Sequence, residues 1–156
     1  RAFAQVHKEI PHHMVIVGKH GWGPATVPEM ANRLGIRERV LPIGFVSHED
    51  LIKFYSASNA FVFPSFYEGF GLPVLEAMRC GAPVITSNVS SLPEVAGDAA
   101  EYVDPADVDG LAQAIQRVAL DPALRASMRE RGVAQAKRFS WAQCAQQTHD
   151  LYRSLL

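Results

Sequence analysis

The sequence predicts an α/β fold, a parallel sheet flanked by helices, and three observations carry that prediction. Short apolar runs rich in β-branched or aromatic residues, among them MVIVG, AFVFPS and APVITS, recur along the chain. Between them lie stretches whose apolar residues fall at helical spacing. The runs are continuous rather than alternating, as in strands covered on both faces. Strands spaced by helices imply βαβ units and a parallel sheet.

The elements follow in order. RAFAQVHKEIPHH reads as the latter part of an amphipathic helix, with Ala2, Phe3, Val6 and Ile10 at helical spacing and Pro11 stopping the run. Met14 to Gly18 is a strand ending at glycine, and a helix follows around Val27 to Leu34. Arg39 to Gly44 is the next strand; Pro42 gives no amide to a ladder, so a short or edge strand is expected. Ser47 caps a helix over SHEDLIKFYSAS, with Asp50 in the capping-box position and Leu51, Ile52 and Tyr55 as the buried stripe. Ala60 to Ser65 is a strand, about Pro73 to Arg79 a helix, and Ala82 to Ser87 a strand. SSLPEVAG is a short helix, with Ser91 and Glu94 spaced as a capping box. AAEYVDP is the last strand, and DVDGLAQAIQRVALD a helix. Two helices close the chain, Pro122 to about Lys137 and Ser140 to Leu155, the second anchored in the core by Trp141. A Rossmann-like domain results, and a ligand is expected outside the carboxyl ends of its strands.

A chain of 156 residues suffices for one domain with a sizeable core. Its 48% hydrophobic and 20% charged residues are ordinary for a soluble protein. A net charge of −1 and a pI near 6.6 leave no electrostatic footprint for nucleic acid. No apolar run approaches a membrane span, and no signal peptide is visible. Cys80 and Cys144 make no disulfide framework, which suits a reduced, cytoplasmic chain; Cys80, at a helix end, reads as packing. The pair His12-His13 lacks further spaced ligands for a metal. The chain begins without Met and within a helical pattern, so residues 1–156 are expected to be a single domain cut from a longer protein, truncated at its N-terminus.

The stretch FYEGFGLPVLEAMRCG, Phe66 to Gly81, carries the chemistry. After a buried strand the chain turns through Glu68-Gly69-Phe70-Gly71 and enters a helix near Leu72-Pro73. Glycine permits close backbone approach and positive φ, and proline suits a first helical turn. The free amides of that helix start suit an anion such as phosphate. Glu68 and Glu76 flank it. Singly, each feature has a bland explanation: the helix dipole for Glu76, a solvated turn for Glu68, punctuation for the glycines. In this order, at the end of a strand, they favour a site.

The segment PSFYEGFGLPVLEAMRCGAPVITSNVSSLPEVAGDAAEYVDP resembles the donor-binding half of the retaining glycosyltransferases of family 4, whose hallmark of two glutamates with seven residues between them is matched by Glu68 and Glu76. VGKHGW, RVLPIGFVSHEDLIKFYSASNAFVFPS and FSWAQCAQQTHDLYRSLL extend the resemblance over nearly the whole chain. It implies the two-domain GT-B architecture and transfer of a hexosyl group, mannosyl or glucosyl for example, from a nucleoside-diphosphate sugar to a glycan or lipid-linked acceptor. Retention at the anomeric carbon and no obligatory metal or other cofactor are implied with it. Glu68 would contact hydroxyls of the transferred sugar near the reacting carbon. The amides of Gly69, Phe70, Gly71 and Leu72 would hold sugar and diphosphate, Glu76 the ribose hydroxyls, and Phe45 and Val46 the base. An ionised carboxylate accepts two hydrogen bonds and suits a vicinal diol. In the loop from Gly18 to Gly23, Lys19 or His20 reaching a phosphate or sugar and a solvated loop are both open readings, and Glu94 stays a minor candidate.

The family draws an Arg and a Lys for the diphosphate from a segment before the first helix, and the acceptor from an N-terminal domain; both are expected outside residues 1–156. The isolated chain is therefore expected to bind donor weakly and not to catalyse. Full-length parents of this kind can associate peripherally with membranes, and bacterial surface-polysaccharide assembly is the implied setting. A GT-B phosphorylase needs a lysine-bound pyridoxal phosphate, and Lys8, Lys19, Lys53 and Lys137 all lie outside the glutamate motif. A dehydrogenase lacks its Gly-x-Gly-x-x-Gly after the first strand. A non-catalytic α/β nucleotide-binding or regulatory module is the alternative from another class.

Overall fold

The structure, a computed structural model, describes residues 1–18 and 26–155. Helix α1 (Ala2–Val6) is followed by β1 (Met14–Val17), α2 (Val27–Arg33), a 3₁₀ turn (Arg37–Arg39), β2 (Val40–Gly44), α3 (His48–Ala57) and β3 (Phe61–Phe63). Then come α4 (Leu72–Arg79), β4 (Val84–Ser87), α5 (Leu92–Ala96), β5 (Ala100–Val103), α6 (Val108–Leu120), α7 (Pro122–Ala136) and α8 (Trp141–Ser154). Every expected helix and strand among the described residues is present, with ends moved by a few positions. The largest change is in α1, which stops at Val6 although Ile10 remains buried in the core.

All strand pairs are parallel, but they form two sheets rather than the single one expected: β1-β2 and β3-β4-β5. No ladder joins β1 to β3 among the described residues. The two sheets share a core instead: Ile16 of β1 and Val62 of β3 pack against the cluster that holds Ile85, Val103 and Val118. Strand β4 alone has neighbours on both edges, and all four of its residues are buried. Its Ile85 faces that cluster and its Val84 the other, built on α4, α5 and α7. Strand β3, expected to be equally covered, is half-buried throughout, and among the described residues one of its edges has no partner strand.

Pro42 lies on β2, which among the described residues pairs with β1 alone, an edge position where proline is tolerated, beside an irregularity that sets Val17 opposite Gly44 and skips Ile43. Ser47 caps α3 as expected, its Oγ accepting from the Asp50 amide at 3.1 Å. The box does not close, because the short Asp50 side chain takes the Ser47 hydroxyl at 2.9 Å rather than reaching back to the Ser47 amide. A full capping box forms instead between Thr26 and Glu29 at the start of α2.

Trp141 is not a core anchor: it is 78% exposed, and no residue of α8 is buried. The anchor is Phe139, two residues earlier, whose ring meets Phe70 edge-on at 6.0 Å and whose carbonyl accepts from Arg79 at 3.4 Å. Ser140 then caps α8, and Trp141 turns outward at its first position. Among the described residues no helix is long and apolar enough to cross a membrane.

Candidate functional site

Parallel pairing brings the exits of β3 and β4 side by side, with Phe63 opposite Thr86. Two buried hydroxyls fasten these exits together. Thr86 Oγ1 donates to the Phe63 carbonyl at 2.9 Å and Ser87 Oγ to the Ser65 carbonyl at 2.6 Å. The loop carrying Glu68 therefore leaves β3 from a fixed point, and the loop carrying Ser90 and Ser91 leaves β4 next to it.

Glu68 is held at its backbone and its side chain. Its amide donates to Ser90 Oγ at 3.1 Å, and its carbonyl accepts from Ser91 Oγ at 3.0 Å. Its Oε1 accepts from Ser65 Oγ at 2.8 Å. Ser91 Oγ also lies 2.8 Å from the Phe70 carbonyl, so its single proton is shared between the two carbonyls. The expected Ser91–Glu94 capping box is therefore absent: Ser91 stands at the start of α5, but its hydroxyl is turned away to the Glu68 loop, and Glu94 is exposed.

The loop ends at Gly71, the N-cap of α4, with φ 106° and ψ 39°, a left-handed conformation suited to glycine. No side chain caps this helix. The amides of Val74 and Leu75 both bond the Gly71 carbonyl, at 3.0 and 3.3 Å, and Pro73 has none to give. The amides of Gly69, Phe70, Gly71 and Leu72 donate to no partner among the described residues. Unpaired amides at a helix start carry partial positive charge and suit an anion.

Glu76, one turn further into α4, is half-exposed and accepts from the Tyr55 hydroxyl at 3.4 Å through Oε2. Tyr55, read from the sequence only as part of a buried stripe, is buried and packs edge-on against Phe61 at 5.1 Å. Burial, then the Glu76 charge and hydrogen bond, push its hydroxyl up to about 12. It therefore stays a donor to Glu76 at any physiological pH. Cys80, the C-cap of α4, is also pushed up, first by burial and then by the Glu76 charge, which fits packing rather than a nucleophile.

A folded-state value above the ordinary 10.0 means that Tyr55's contribution to stability is fully present below pH 10 and lost as pH rises through about 12. Tyr55→Phe keeps the ring and removes only the hydroxyl. The variant is expected to lose about 1 kcal/mol at neutral pH. It should also show a shallower fall of the urea midpoint between pH 10 and about 12 than the parent does. Parallel profiles for the two proteins would mean that no such pair forms.

Phe45 and Val46 lie at the carboxyl end of β2, Phe45 82% exposed, and Gly18 at the end of β1, its amide donating to Gly44 at 2.8 Å. They stand at the carboxyl ends of strands in the other sheet from Glu68 and Glu76, and no hydrogen bond joins the two groups among the described residues. Lys19 and His20 lie outside the described residues. Sequence reasoning missed Tyr55, Ser65 and Ser90 and assigned Ser91 another role. The run of hydroxyl residues after the apolar APVI segment, TSNVSS, was the available signal.

The profile of the family described as "Glycosyl transferases group 1" matches residues 1–135. The O-antigen chain mannosyltransferase B of Escherichia coli is 47% identical over 143 residues, covering 91% of this chain and 37% of that protein. The D-inositol 3-phosphate glycosyltransferase of Saccharomonospora viridis is 33% identical over 148 residues, covering 92% of this chain and 34% of that protein. The chain thus spans little more than a third of either relative. Among solved structures, the sucrose-phosphate synthase of Thermosynechococcus elongatus superposes with a TM-score of 0.83 at 33% identity, over 99% of this chain and 41% of that one. Anabaena Alr3699/HepE, solved in complex with UDP-glucose, superposes with a TM-score of 0.83 at 24% identity over 98% of this chain and 44% of that one, which bears on fold alone.

Proposed function

This chain belongs to the glycosyl transferases group 1 family, and from that membership we propose that it is the nucleotide-sugar-binding part of a retaining hexosyltransferase, the C-terminal half of a GT-B enzyme. The observation that carries the reading is the set of unpaired amides from Gly69 to Leu72, flanked by Glu68 before and Glu76 after. A diphosphate sits on those amides. Glu68 accepts hydrogen bonds from the sugar, and Glu76 takes the ribose diol through the oxygen that Tyr55 leaves free. Phe45 and Val46 flank the base, Gly18 approaches the sugar or phosphate from the end of β1, and Lys19 is a further proposed contact.

Mannose is the proposed sugar, supported by the 47% identity to an O-antigen mannosyltransferase. The acceptor is a glycan or lipid-linked glycan, held by a domain outside residues 1–156, in a cytoplasmic enzyme of surface-polysaccharide assembly. In the reaction the acceptor oxygen bonds the anomeric carbon as the bond from that carbon to the β-phosphate oxygen breaks. The electron pair leaves with the nucleoside diphosphate, and the acceptor's proton is released. The amides and the α4 dipole stabilise the charge that develops on the leaving diphosphate. No metal is assigned a step.

Calorimetry of the full-length protein with GDP, UDP and ADP tests the assignment. One nucleotide is expected to bind, and Glu76→Ala to weaken it about 10- to 100-fold, the worth of hydrogen bonds to a charged group. Binding indifferent to Glu76 would argue for a non-catalytic nucleotide module. Residues 1–156 alone are expected to show no sugar transfer.

A further inference from the structure

We infer that Ser90 and Ser91 are positioning residues for Glu68, and that Ser90 keeps a strained backbone in order to serve as one. The inference rests on the reading of Glu68 as the carboxylate that contacts the transferred sugar.

Both polar backbone groups of Glu68 are taken by adjacent hydroxyls from another strand's exit, the amide by Ser90 and the carbonyl by Ser91. Ser91 spans the loop further, to the Phe70 carbonyl. The bonds made by this serine pair lie before and after Gly69, so they define where the Glu68 carboxylate and the free amides stand relative to each other. Successive side chains normally diverge, to opposite faces in a strand and by about 100° around a helix. Two neighbouring hydroxyls converge on the backbone of one residue only if the backbone between them departs from both patterns.

Ser90 does depart. Its φ of 54° is the only positive value at a non-glycine residue among the described positions. Glycine would hold that conformation without strain but has no hydroxyl to receive the Glu68 amide. Strain retained at a position where it aims side chains at a site is a mark of function.

Ser90→Gly separates this role from a merely structural one, because it removes the hydroxyl and the strain together. In the full-length protein, with GDP-mannose and a synthetic lipid-linked mannoside as acceptor, kcat is expected to fall about tenfold. The KM for GDP-mannose should stay within about threefold and the melting temperature should hold or rise. Ser91→Ala should lower kcat similarly, and Ser91→Thr, which keeps the hydroxyl, should restore it. In residues 1–156 alone, exchange of the Glu68 amide proton should quicken about tenfold in Ser90→Gly, as its bond is lost.

Three results would overturn the inference. Wild-type kcat in Ser90→Gly and Ser91→Ala, alongside a crippled Glu68→Gln, would refute positioning while sparing the site. A melting temperature that falls in step with kcat would make the serines structural. Full activity in Glu68→Gln, or no turnover of GDP-mannose or any other nucleotide sugar, would remove the reading on which the inference stands.

Discussion

Glu68→Gln in the full-length protein is expected to lower kcat for mannosyl transfer from GDP-mannose by about 100- to 1,000-fold, the range for loss of one preorganised transition-state contact. The substitution keeps shape and one acceptor oxygen and removes the charge. In the proposed reaction positive charge develops on the sugar as the bond to the diphosphate breaks, so a carboxylate placed there is worth more in the transition state than in the ground state. The KM for GDP-mannose should therefore move only a few-fold. Folding should be little affected, because the Ser90 and Ser91 bonds grip the Glu68 backbone, which the substitution leaves intact. Only the bond from Ser65 weakens, at a cost of about 1 kcal/mol. Transfer within tenfold of the parent rate would exclude Glu68 from the reaction.

Gly71→Ala has the largest expected effect on stability. At φ 106° any side chain is strained, and a Cβ would stand 2.9 Å from Leu92 Cδ2. Leu92 is fully buried, so its side chain must shift within the core. The left-handed penalty of about 1–2 kcal/mol and an overpacking cost of about 1–3 kcal/mol make a loss of about 2–5 kcal/mol. For a domain of this size that lowers the melting temperature by about 5–15 °C, measurable by circular dichroism on residues 1–156. Gly69→Ala is the control: nothing lies within 4 Å of its Cβ position, so its melting temperature should stay close to the parent's. Equal losses at the two glycines would refute the steric account.

The candidate site was legible where its parts are neighbours in sequence. A strand, Glu68, two glycines, a proline and Glu76 specify a helix start with exposed amides, because the φ freedom of Gly71 and the missing amide of Pro73 are local properties. Tyr55 was legible only as core. Its periodicity buries the ring correctly, but periodicity says nothing about where a hydroxyl points, and Glu76 lies 21 positions away. Ser91 was misread for the same reason: a hydroxyl three residues before a glutamate fits a capping box, yet two backbone carbonyls 23 and 21 positions away capture it. Trp141 was misread because size predicts burial on average, while Phe139 had already taken the contact with Phe70.

The succession of helices and strands along the chain, the parallel sense of the strand pairs, the cap at Ser47 and the glycine turn into α4 all followed from residue type and spacing. They could do so because each is set by a few consecutive residues or by the period of apolar side chains. The division into two sheets, the pairing of Tyr55 with Glu76 and the capture of Glu68 by two serines from another strand's exit were decided only in three dimensions. These are hydrogen bonds and edge pairings between segments 20 or more positions apart, with no period in the sequence to announce them. The capture of Glu68 forms because parallel pairing sets the exits of β3 and β4 side by side, within reach of each other's polar groups.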